Sequence, residues 1–190
     1  MTEGGVPFRS SEAAEIDEWS RLVYEAFSDW PIAKEGRWTR WPPGYLLLEV
    51  DRYRGDPIGQ IVAYTRGEGL TVGFGQWLTH LPLIALVDGK PPPLAEQVRS
   101  AVVEAQRPVE GLLAERLVVV AYFNNNGKWG GSALLTAAEL ESEVSSRAAF
   151  ISGVTGKQLS RMEIRTPLRP RGTSVLLGPR SGRLPRKASP

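Results

Sequence analysis

Three short segments rich in β-branched and aromatic residues follow one another between Tyr45 and Phe74, each closed by a tight turn. Tyr45 to Asp51 and Ile58 to Tyr64 are joined across Arg52-Tyr53-Arg54-Gly55-Asp56-Pro57. Thr65-Arg66-Gly67-Glu68-Gly69 then leads into the third, which places Leu70, Val72 and Phe74 on one side. Connections this short bring a strand back antiparallel to its neighbour, since a parallel return needs a crossover of a dozen or more residues. This meander is the strongest constraint on the fold. The third segment belongs to a longer stretch, Gly69 to Leu81, that runs into an aromatic corner at Trp77 and on to His80, the only histidine.

The rest of the chain supplies helices for such a sheet. Met1 to Ser10 reads as a loose leader without the apolar core of a secretory signal. Ile16, Trp19, Val23, Ala26 and Phe27 form a helical stripe, with Ser11 expected as its cap and Trp30-Pro31 as its end. Gly36 to Gly44, with Trp38, Arg40 and Trp41, reads as a loop. Leu94, Val98, Ala101, Val102 and Ala105 mark a second helix, expected to stop at Arg107-Pro108. Leu117 to Phe123 is a nearly continuous apolar run, the pattern of a central strand. Asn124-Asn125-Asn126-Gly127 is a hairpin turn that returns it as Trp129 to Leu135. Thr136 to Glu139 is a capping box, and Leu159 to Arg165 a last strand. The expected fold is α+β, a mainly antiparallel sheet of about five to six strands with two main helices packed on it. Residues 1–165 read as one domain and 166–190 as a basic, Pro/Gly/Arg-rich disordered tail.

Composition excludes several functions. The 190 residues contain no cysteine, which removes disulfides, thiol nucleophiles and thiolate metal sites and suits a cytoplasmic protein. No apolar run is long enough for a membrane helix. Seven of the 23 basic residues lie in 165–190, where there is no acid, so residues 1–164 carry 16 basic against 21 acidic side chains. A mildly acidic body is a poor ligand for nucleic acid, although the tail could contact it. With one histidine, a zinc site built on histidines is excluded, and no Gly-x-Ser-x-Gly elbow supplies a serine nucleophile. Gly73-Phe74-Gly75 and Gly127 to Gly131 lack the strand-to-helix setting of a phosphate loop.

Two constellations remain. His80 has a side chain suited to proton transfer near neutral pH, and the ordinary account is a strand-end residue bonded to its neighbours. Glu49 and Asp51 share a strand face, with Asp56 and Glu68 in the adjoining turns. Such carboxylates can hold a metal or act as an acid–base pair, or simply form the polar side of a one-sided sheet. Trp38, Trp41, Trp77 and Trp129 fall in or beside turns, and tryptophan and arginine are enriched at binding hot spots.

The stretch 69–80, the strand Leu117 to Phe123, the Asn-rich turn and Trp129-Gly130-Gly131-Ser132 resemble small bacterial immunity proteins of polymorphic toxin systems. The resemblance spans roughly 45–165 and departs at Leu78, where the family pattern often carries a second histidine. It implies a non-enzymatic protein that binds and blocks a cognate toxin. The surface expected to do so comprises Trp38, Arg40, Trp41, Glu49, Asp51, Glu68, Trp77 and His80. No catalytic residue, metal or cofactor is assigned. The alternatives are a small enzyme pairing His80 with a carboxylate, and a nucleic-acid-associated protein acting through its basic tail.

Overall fold

Asp17, rather than Ser11, starts the first α-helix. Its carboxylate accepts the backbone N–H of Ser20 at 2.7 Å, and α1 runs over Glu18–Phe27. Aspartate is a strong N-cap, so the preceding Ser10–Glu15 stays a separate 3-10 turn and Ile16 is extended. The structure, a computed structural model, describes residues 5–42, 44–52, 59–66, 69–82 and 90–177. Pro31 opens a further short helix, α2 (Pro31–Lys34), because its missing N–H is harmless in a first turn.

The fold is α+β, and its strands form two antiparallel sheets rather than one. The larger sheet has six strands in sequence order: β1 (Val6–Pro7), β2 (Arg37–Trp41), β3 (Tyr45–Asp51), β4 (Gln60–Tyr64), β5 (Gly69–Phe74) and β6 (Trp77–Pro82). Two expectations are corrected here. The segment expected as a loop around Trp38 is β2, because Arg-Trp-Thr-Arg-Trp alternates sides and buries Trp38 against Tyr24 and Phe27. The aromatic corner at Trp77 is a hairpin. Gly75 adopts φ +58°, which glycine tolerates, and Trp77 returns directly opposite Phe74.

Helix α3 (Leu94–Leu113) continues through Pro108 instead of stopping there. An internal proline costs roughly 3 kcal/mol, but the last turn buries Val109 and Leu112 completely, and burying two such side chains returns about as much. Helices α1 and α3 pack on one face of the six-stranded sheet, around Val23, Phe27, Leu48, Ile61, Leu70, Val72, Phe74, Val102 and Ala105.

The smaller sheet has the order β10-β9-β7-β8. Its strands are β7 (Leu117–Asn124), β8 (Trp129–Thr136), β9 (Leu159–Thr166) and β10 (Arg169–Leu176). The Asn-rich turn is a hairpin, with Asn124 Oδ1 accepting the N–H groups of Asn126 and Lys128. The strand β10 lies inside the segment expected as a tail from residue 166. Thr173 to Leu176 pair with β9, and a register shift between Arg169 and Thr173 absorbs Pro170 and Gly172, the residues that suggested disorder. Helices α4 (Ala137–Ser142) and α5 (Val144–Thr155) cover one face around Val120, Tyr122, Leu135, Val144 and Met162. On the other face Val119 joins the main core. The β5–β6 turn meets that face as well, where Ser132 donates to the Gln76 carbonyl at 3.0 Å and Arg165 to its side chain at 3.4 Å. Among the described residues no helix is long and apolar enough to cross a membrane.

Candidate functional site

In a strand every second side chain stands on the same side, so register decides which of the expected surface residues meet. Two rows cross the outer face of the six-stranded sheet. One is Arg37–Glu49–Val62–Gly73–Leu78, and the other Thr39–Leu47–Tyr64–Thr71–His80. Trp41 and Tyr45 extend this face at one end, their rings stacked at 6.4 Å, and Asp51 and Gln60 at the other. In β3 and β4 the burial alternates: Leu46, Leu48, Val50, Ile61 and Ala63 are buried inward, whereas Tyr45, Leu47, Val62 and Tyr64 are partly exposed outward, and Thr39 and Thr71 of the same outer row are buried. Leu78, at the β6 end of its row beyond Gly73, is 52% exposed.

This parity divides the expected set. Trp41, Glu49, Asp51 and His80 share the outer face. Trp38 and Trp77 stand on the inner side and pack against the core. Arg40 also has inner parity, opposite Leu46, and pairs with Glu15 beside α1. Glu68 and Asp56 lie outside the described residues. The residues missed are Tyr45, Leu47, Val62, Tyr64 and Leu78. Their signal is present in the alternation of Tyr45, Leu47 and Glu49, but apolar residues in a strand read as core.

The charges on this face are paired at the rim. Arg37 Nη2 lies 2.9 Å from Glu49 Oε2, directly across β2 and β3. Arg37 is 70% exposed, and water screens such a pair strongly. It borders the apolar patch with a guanidinium and a carboxylate.

His80 stands at the edge strand. Its Nδ1 is 3.0 Å from Thr71 Oγ1, and its ring lies over Gly69, where a Cβ would come within 2.4 Å of Cε1. Gly69 therefore makes room for the imidazole. Three strand spacings, about 14 Å, separate His80 from β3, which carries Glu49 and Asp51. Direct proton transfer to either carboxylate needs hydrogen-bond contact, so the enzyme alternative loses both. Among the described residues no three histidine, aspartate or glutamate side chains gather as metal ligands. No family model, curated protein or solved structure matches the chain.

Proposed function

We propose that the chain is a protein-binding module and that the outer face of the six-stranded sheet is its interface. The observation that carries this reading is the partly exposed patch of Tyr45, Leu47, Val62, Tyr64 and Leu78, bordered by Arg37, Glu49, Asp51 and His80. Interfaces concentrate tyrosine, tryptophan and arginine around an apolar centre with a polar rim, and this face has that composition. Residues 1–116, which build it, carry twelve basic against seventeen acidic side chains. The complementary partner is a protein with a basic surface, and opposite charge speeds the encounter. Taken with the immunity-protein resemblance, the partner is a bacterial toxin with a cationic active surface, such as a nuclease, neutralised in the cytoplasm.

The test is protection of cells. The chain is co-expressed with a toxin reading frame encoded beside it, in the wild type and in a Tyr64→Ala, Leu78→Arg variant whose circular dichroism matches the wild type. The wild type restores growth and co-purifies with the toxin, while the variant binds at least 30-fold more weakly, as expected for losing a central hot spot of about 2 kcal/mol. Equal protection by both, or none by the wild type, overturns the proposal.

A further inference from the structure

The part of the chain that builds the smaller sheet carries the opposite net charge to residues 1–116. Residues 117–177 hold seven lysines and arginines against four acids. At the hairpin end of this sheet Leu176, Arg161, Phe123 and Trp129 stand opposite one another across its four strands. Two guanidiniums lie over the Phe123 ring, Arg161 at 4.6 Å and Arg165 at 5.8 Å from its centroid. They differ in access. Arg165 is only 11% exposed and is held by Glu163 and Gln76, whereas Arg161 is 38% exposed. Arg161 Nη2 also contacts Glu163 Oε1 at 3.2 Å, so this one carboxylate serves two arginines and leaves a net positive charge. Phe123 and Glu163 together hold the Arg161 guanidinium in place.

We propose that this row is a binding site for single-stranded nucleic acid. Unpaired bases stack on exposed aromatic rings and on guanidinium planes, and backbone phosphates follow nearby cations. Trp129, 45% exposed, is one stacking surface, and the outer plane of Arg161 is the second. Lys157, whose Nζ is 3.4 Å from the Trp129 carbonyl, and Lys128 in the adjoining turn supply the phosphate contacts. Leu176, in this same row, is 82% exposed. An acidic peptide would need the charges but not the stacking planes, and a duplex offers no free base faces. The site lies on the other sheet from the proposed partner-binding face and does not depend on that reading.

The probe is a fluorescein-labelled oligo(dT) of about 12 nucleotides, titrated with the full chain by fluorescence anisotropy beside a duplex of equal length and a poly-glutamate peptide. Oligo(dT) binds more tightly than either, and its affinity falls steeply between about 50 and about 200 mM salt. Trp129→Ala and Arg161→Lys each weaken it about tenfold, the lysine keeping the charge but losing the plane, whereas Trp129→Phe retains binding. Replacing Lys128 and Lys157 by glutamine lowers the salt slope by up to about 0.7 for each phosphate that is no longer neutralised. Absence of binding at low salt, equal binding of poly-glutamate, or wild-type affinity in Arg161→Lys overturns the proposal.

Discussion

Polar atoms in the main core are tolerated where each finds a partner, and Ser20 shows how closely this is met. Ser20 and Thr65 are almost completely buried, joined hydroxyl to hydroxyl. The Leu46 N–H donates to Thr65 Oγ1 at 2.9 Å, and Ser20 Oγ donates to Asp17 Oδ2 at 2.8 Å. The Thr65 proton is therefore directed to Ser20, and a single chain of donors runs from the sheet to the helix cap. Ser20→Ala strands Thr65 and is expected to cost about 1–3 kcal/mol in urea unfolding. Adding Thr65→Val to it should cost less than the two single changes summed, because both break the same chain. Strict additivity would show that the hydroxyls act independently. Tyr122 makes a complementary case. Burial pushes its phenol up to about 12, with Arg147 partly opposing. A phenol raised in the folded state stabilises the fold below its unfolded value near 10 and loses that contribution as pH rises toward 12. Alkaline unfolding of the wild type should therefore be steeper between these values than that of Tyr122→Phe.

Secondary structure here is decided by what each segment can bury. In β5, Gly73 faces β6 so closely that a Cβ would lie 2.3 Å from the Trp77 carbonyl oxygen, a backbone atom that cannot move aside. Gly73→Ala is expected to destabilise by about 1–3 kcal/mol through overpacking, and by more than Gly69→Ala, whose closest contacts are with the His80 ring and whose nearest backbone atom, the Leu81 carbonyl oxygen, is 3.2 Å away. Thermal melts of the two variants test this order. At α4 the capping box pairs Thr136 and Glu139, and the hydrogen bond from the Thr136 backbone N–H is the main cause that lowers the Glu139 carboxyl below its usual range. Stability from a lowered carboxyl is present above its unfolded value and fades as pH falls through the folded one. The deficit of Glu139→Gln relative to wild type should accordingly shrink in acid. These elements also mark how far the sequence can be read. The meander, the Asn-rich hairpin and the capping box are legible because their signals are local. The helix through Pro108, β2 and β10 are not, since tertiary burial of Val109, Leu112 and Trp38 and the pairing of Thr173 to Leu176 override local breakers. The surface is half legible: strand alternation groups Glu49 with Asp51, but only cross-strand register removes Trp38 and Trp77 and brings in Tyr64 and Leu78.

Across the whole molecule, the two sheets meet at the β5–β6 turn, through Gln76 to Ser132 and Arg165. The same hairpin presents Leu78 and His80 outward, so one short element carries both the joint and part of the open face. The β10 strand has a consequence of another kind. Among the described residues it has a neighbour on one side only, which leaves an edge able to template a second chain. The register shift before Thr173 breaks that edge, and Pro170 cannot donate a ladder hydrogen bond. What looks like a weak strand end is therefore a guard against polymerisation. Replacing Pro170 and Gly172 with valine would leave residues 169–176 free to pair continuously with another copy, and light scattering at high concentration should then rise with time while the wild type stays clear.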